Sequence, residues 1–173
     1  MVYLHRAKKC AFLCFTWGVY ACCISFITPV EFGVHSVAQA QGLTTIDSTV
    51  ASLDATWEKR ADLHPAILAF LKSKPKISDS YEILHRIARL GYYGGFFALP
   101  RDASDEEKID IFKYALDNAD RARKSEPKRV EGHYWYAVNL GGWGIAKGIR
   151  ASLGSADSMR QALDDAIKID PKY

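Results

Sequence analysis

Ala115-Leu116-Asp117-Asn118-Ala119-Asp120-Arg121-Ala122-Arg123-Lys124-Ser125-Glu126-Pro127 sets three small residues and a proline at steps of four, three and five. Helical periodicity puts the alanines on one face, where the lack of bulk lets a second helix approach closely, and the proline ends the segment because it cannot continue the backbone ladder. That is the second helix and closing turn of a tetratricopeptide-like helix pair. The next first helix follows on schedule, with His133, Tyr136, Ala137, Leu140 and Gly144 at the aromatic, large, small, large and turn positions. Leu163, Ala166 and Pro171 repeat the ending. The two prolines lie 44 residues apart rather than the unit's 34, so about ten extra residues are expected around 147–155.

Outward from this stretch the apolar spacing stays helical. Val50, Leu53 and Ala61 lie on one predicted segment and Ile67, Leu68 and Leu71 on a second, with Pro65 between them and Pro75 closing the second. Asp79 with Glu82 predicts a capping box for a helix over about 80–97, burying Ile83, Leu84, Ile87 and Leu90 and ending near Gly94-Gly95. Ser104 with Glu107 predicts a second box, opening a helix that carries Ile109, Phe112, Leu116, Ala119 and Ala122. Further helices are expected over 131–146 and from about 156 to 169, the latter with Met159, Leu163, Ala166 and Ile167 on one face. Strict alternation is missing, so the expectation is all-α: antiparallel helix pairs stacked as an α-solenoid, with no sheet.

The first 40 residues read differently. Arg6, Lys8 and Lys9 precede an uncharged run over 10–30, and Ala38-Gln39-Ala40 has the small-x-small form of a peptidase site. A signal peptide cleaved after Ala40 is expected; the alternative is a membrane anchor over 10–30, which is long enough to cross a bilayer. Residues 41–173 would then form the repeat domain, with 41–48 a disordered lead-in. All four cysteines, Cys10, Cys14, Cys22 and Cys23, fall in the leader, so the repeat domain has neither disulfides nor thiolates.

The net charge of +3 also resides mainly in the leader. Without it, 20 basic and 19 acidic residues remain, a balance that gives no electrostatic footprint for nucleic acid. His64, His85 and His133 lack metal-ligand spacing, no serine sits in G-x-S-x-G, and the Gly141-Gly142-Trp143-Gly144 cluster lacks the ending of a phosphate loop. The expectation is a protein that is not an enzyme and holds no cofactor or metal. Six residues remain as a candidate ligand-binding groove: Tyr134, Trp135, Asn139, Trp143, Tyr92 and Tyr93. Amphipathic aromatics with one amide suit a mostly apolar ligand or a partner segment.

The run from Glu131 to Leu140 with Gly142-Trp143-Gly144, the Ala-Leu-Asp-Asp-Ala-Ile-Lys-Ile-Asp-Pro run at 162–171, and Trp57, Arg60, Ala88 and Arg89 resemble the T component of tetratricopeptide-associated TRAP transporters. That resemblance implies a periplasmic helical-repeat protein accessory to solute uptake; the anchor reading of 10–30 would instead hold it at the inner membrane, and the alternatives in function are an assembly scaffold without a ligand and, third, an enzyme of unknown class. Its partner would be a periplasmic solute-binding protein or another protein, with an apolar small ligand and a homo-oligomer also allowed. The resemblance leads one to expect another repeat after Tyr173, so this copy reads as truncated.

Overall fold

The computed structural model describes residues 34–173, with side chains from Ile46 onward. The basic start, the uncharged run and the four cysteines lie outside the described residues, while the Ala38-x-Ala40 site lies in the first helix. Among the described residues six α-helices follow one another: α1 Val34–Glu58, α2 His64–Ser73, α3 Tyr81–Tyr93, α4 Asp105–Ser125, α5 Val130–Lys147 and α6 Ile149–Ile169. A π-helical turn, Gly94–Ala98, extends α3, and no strand occurs among the described residues. The all-α expectation therefore holds, and consecutive helices from α3 to α6 pack against each other as repeat units do.

Local chemistry accounts for the boundaries. Ser104 Oγ accepts from the Glu107 backbone N–H at 3.2 Å, and the Glu107 carboxylate accepts from the Ser104 N–H at 3.3 Å. This closes the expected box, and three acids in the first turn of α4 with Arg123 and Lys124 in the last suit the helix dipole. The Asp79–Glu82 box does not form. Ser80 is the N-cap of α3, Asp79 pairs with Arg121, and Glu82 is held by Arg86 and Arg129 instead. An ion pair offers a carboxylate a stronger partner than a lone backbone amide does.

The core centres on α3, which buries Ile83, Leu84, Ile87 and Leu90 as expected. Leu53, Ile67, Leu71 and Ile111 bring α1, α2 and α4 onto it. Ala88, Ala119 and Trp135 form a second cluster where α3, α4 and α5 meet. Small residues set the closeness: a Cβ on Gly91 would lie 2.2 Å from the Ala115 Cβ. Phe112 is wedged between Gly95 and Gly142, where an added Cβ would come within 2.4 Å of its ring from either side.

Four expectations are corrected. Residues 41–48 are helical within α1, since they contain no proline and only one glycine to weaken the helix. Gly94-Gly95 does not end α3: the chain widens into the π-turn, closed by Leu99 N–H donating to Gly94 O at 3.2 Å. Gly144 is not a turn, because α5 runs on to Lys147. The ten extra residues make no loop either; α6 starts at Ile149, about two turns before the expected Ala156, and Gly148 alone separates it from α5. On α6, Ala162 and Ala166 are the buried residues while Ile167 is exposed; on α4, Ile109 and Leu116 are only half-buried.

Candidate functional site

Helical spacing on α5 places Tyr134, Val138, Gly141 and Ile145 along one face, and the Tyr134 and Trp135 rings lie 5.0 Å apart. The end of α3 supplies Tyr92 and Tyr93, and its π-turn carries Phe96 and Phe97 forward from the same surface. α1 contributes Trp57. Five rings close a circuit: Trp135 to Trp57 at 6.2 Å, Trp57 to Tyr93 at 6.1 Å, Tyr93 to Phe97 at 5.4 Å, Phe97 to Tyr92 at 6.0 Å and Tyr92 to Trp135 at 5.8 Å. Most of these contacts are edge-on or tilted, the arrangement that ring quadrupoles favour.

Beyond Tyr92 and the two phenylalanines the surface drops into an apolar groove of about 300 Å³, walled on the other side by Val138, Ile145, Met159 and Leu163. Phe97 is 55% exposed and Ile145 70% exposed, so the groove opens to solvent. At the opposite edge, the Arg60 guanidinium lies 4.4 Å and that of Arg89 4.6 Å from the Trp57 ring centre. Asp54 accepts from Arg89 at 2.6 Å, whereas Arg60 donates to the Trp57 carbonyl and has no acidic partner among the described residues. His64 Nε2 meets the Tyr93 hydroxyl at 2.8 Å.

A charged network next to this surface ties three helices together. Arg86 bridges Asp54 of α1 at 2.9 Å and Glu82 of α3 at 2.6 Å, while Arg129, just before α5, pairs with Glu82 and with Glu131 at 3.1 Å. Burial alone would raise the Glu82 pKa, but hydrogen bonds from Arg129, Arg86 and His85 bring it down from 4.5 to about 2. The Tyr81 hydroxyl donates to Glu131 at 2.8 Å and accepts from the Gly132 N–H; burial, then that bond to Glu131, pushes its pKa well up. His85 is buried in this network, which lowers its pKa, desolvation being the larger cause.

Of the six residues expected to form a groove, the structure brings together Tyr92, Tyr93, Tyr134 and Trp135. Asn139 is fully buried beneath them, its amide nitrogen donating to Ala88 O at 3.0 Å and Trp135 O at 2.7 Å, so it fastens α5 to α3. Trp143 lies elsewhere: nine residues from Tyr134 is half a turn out of phase, and it lines a separate groove with Ile109, Leu116 and Leu140. Tyr134 is partly covered by the Tyr173 ring at 5.1 Å. Trp57, Phe96 and Phe97 were not among the expected site residues. The Tyr92-to-Phe96 step of four was a readable signal for the phenylalanines; a lone tryptophan in α1 gave none. Among the described residues no three His, Cys, Asp or Glu side chains stand together as metal ligands, and no helix is long and apolar enough to cross a membrane.

Stacked helix pairs bearing an aromatic surface define a tetratricopeptide-like helical-repeat protein. The profile of the family regulator of microtubule dynamics protein 1-3 matches residues 49–173, and the chain belongs to that family. Regulator of microtubule dynamics protein 1 of Mus musculus is 24% identical over 178 residues, covering 92% of this chain and 56% of that protein. The Pongo abelii and Bos taurus proteins of the same name are 30% and 31% identical over 102 residues, covering 59% of this chain and 32% and 31% of theirs. The chain thus spans about half the length, or less, of the curated relatives it matches. No solved structure matches it with significance.

Membership corrects the resemblance to the TRAP transporter T component, and with it the transport role, the periplasmic or inner-membrane location and the partnership with a solute-binding protein. The physical reason lies in the shared residues. Ala88, Trp135 and Asn139 are packing residues, and the alanine spacing with a terminal proline is what any closely paired helix repeat requires.

Proposed function

We propose that this chain regulates microtubule dynamics by binding, without catalysing a reaction, and that the aromatic surface around Trp57, Tyr93 and Phe97 is where it binds. The observation that carries this reading is coextension: the family match over residues 49–173 takes in the helices that build the aromatic circuit and its groove. Half-exposed aromatics in an open apolar groove supply contact area at low entropic cost, and Trp and Tyr are the side chains on which interface energy concentrates. Arg60, a cation with no acidic partner among the described residues, gives that surface a place for a carboxylate at its edge.

The test is microtubule growth and shrinkage followed by fluorescence microscopy with the purified full chain added to tubulin. The chain is expected to change at least one of the growth, shrinkage or catastrophe rates, and Phe97→Ser to remove at least half of the change with the helical circular dichroism signal retained. Unchanged rates with the unaltered chain would overturn the reading; a full effect from Phe97→Ser would remove the aromatic surface from it.

A further inference from the structure

Trp143 and its neighbours form a second groove, of about 430 Å³, on the side of α5 turned away from Tyr134. Its walls are Ile109 and Leu116 on α4, seven residues apart, and Leu140 and Trp143 on α5, three apart. The two α4 positions span ~10 Å of axis at 1.5 Å per residue, the length of about two helical turns. An outward face of α4 that served only solvation would be polar there. The indole of Trp143 is half-buried, touches no other ring, and has no hydrogen-bond partner for its N–H among the described residues. Lys113 and Lys147 stand exposed on the rim, and neither has an acidic partner among the described residues. Asp110 is held by Lys74 at 3.0 Å, so among the described residues Asp117 is the single unpaired acid lining the groove, against two unpaired lysines.

We infer that this α4–α5 groove is a docking site for an acidic amphipathic helix of a protein partner. Apolar side chains of that helix at i, i+3 and i+7 lie between the two walls, and its flanking carboxylates meet Lys113 and Lys147. The indole N–H supplies one further donor to a carboxylate or carbonyl, and rim charges of this kind set the sign of the preferred partner more than the affinity itself. Trp143, on the α5 wall facing two aliphatic residues of α4, is of the residue type on which interface energy concentrates. The inference does not rest on the proposed role at microtubules, because it concerns a different face and different residues.

The probes are two synthetic 14-residue helical peptides with the same leucine stripe, one flanked by glutamates and one by lysines. Their binding to the full chain is measured by fluorescence anisotropy. The glutamate peptide is expected to bind at least tenfold more tightly, and Lys113→Glu with Lys147→Glu to reverse that order. Trp143→Ala should weaken both peptides about tenfold or more; if that variant fails to fold, the charge reversal at two exposed lysines carries the test. Phe97→Ser should leave peptide binding unchanged, which separates this outcome from failure of the microtubule reading. Absence of binding by either peptide, or a preference indifferent to the charge reversal, overturns the inference. So does self-association in sedimentation that the charge reversal abolishes, because the occupant would then be a second copy of this chain.

Discussion

Asn139 shows how a residue that suits a ligand contact is taken up by packing. Its amide nitrogen bonds two backbone carbonyls, and its side-chain oxygen, buried like the rest of the residue, has no partner among the described residues. Asn139→Ala is therefore expected to cost about 1–3 kcal/mol in urea unfolding, from lost hydrogen bonds and a small void, with no new exposed surface. Tyr134 is the opposite case. It is half-buried at the edge of the aromatic surface, so Tyr134→Ala should lower stability by less than Asn139→Ala does, measured the same way. The sequence offered Tyr92, Tyr93, Tyr134 and Trp135 as a group because aromatic clustering is visible along the chain. It grouped Trp143 with them wrongly, since membership of one aromatic run says nothing about phase around the helix. Trp57 was read only as part of a family resemblance and not as a site residue, because its neighbours come from α3 and α5, and only the packing of α1 brings them to it.

Helix pairing depends on small residues whose role is legible once the repeat spacing is seen. Ala115, Ala119 and Ala122 are all fully buried, as that spacing required. Their partners were harder to read, because Gly91 resembles a helix breaker until Ala115 is placed against it. Gly91→Ala puts two Cβ atoms at 2.2 Å, an overpacking expected to cost about 1–3 kcal/mol. Adding Ala115→Gly should recover part of that loss, and a double-mutant cycle in denaturant measures the coupling. If the two changes simply add, the Gly91–Ala115 contact does not limit the approach of α3 to α4. The ends of α4 were readable for a local reason: its capping box and its charged turns involve residues three or four apart. Asp79 was misread because its actual partner, Arg121, lies on another helix.

Across the molecule, the network of Asp54, Glu82, Arg86, Arg129 and Glu131 links α1, α3 and α5, which makes stability sensitive to acid. Glu82 titrates near 2 when folded and near 4.5 when not, so its contribution is complete above 4.5 and disappears as pH falls toward 2. His85 acts with the same sign at higher pH. Burial holds its folded pKa below 6.5, so the unfolded chain takes up a proton first and stability begins to drop as pH falls through 6.5. Melting temperature against pH is expected to fall in two stages; Glu82→Gln should flatten the lower one and deepen the upper one, because the lost carboxylate is a partner that holds the His85 pKa up. The course of the chain at its far end depends on something smaller. Gly148 holds φ 102° and ψ 170°, with no atom within 4 Å of where a Cβ would stand, so nothing but backbone strain opposes a side chain. An L-alanine there is expected to cost about 1–3 kcal/mol in chemical unfolding. Its mirror image would see the same angles as an ordinary extended conformation. A semisynthetic protein with D-alanine at position 148 should therefore escape that strain and be more stable than the L-alanine variant, since the bend between α5 and α6 is a preference for the opposite handedness at a single carbon atom.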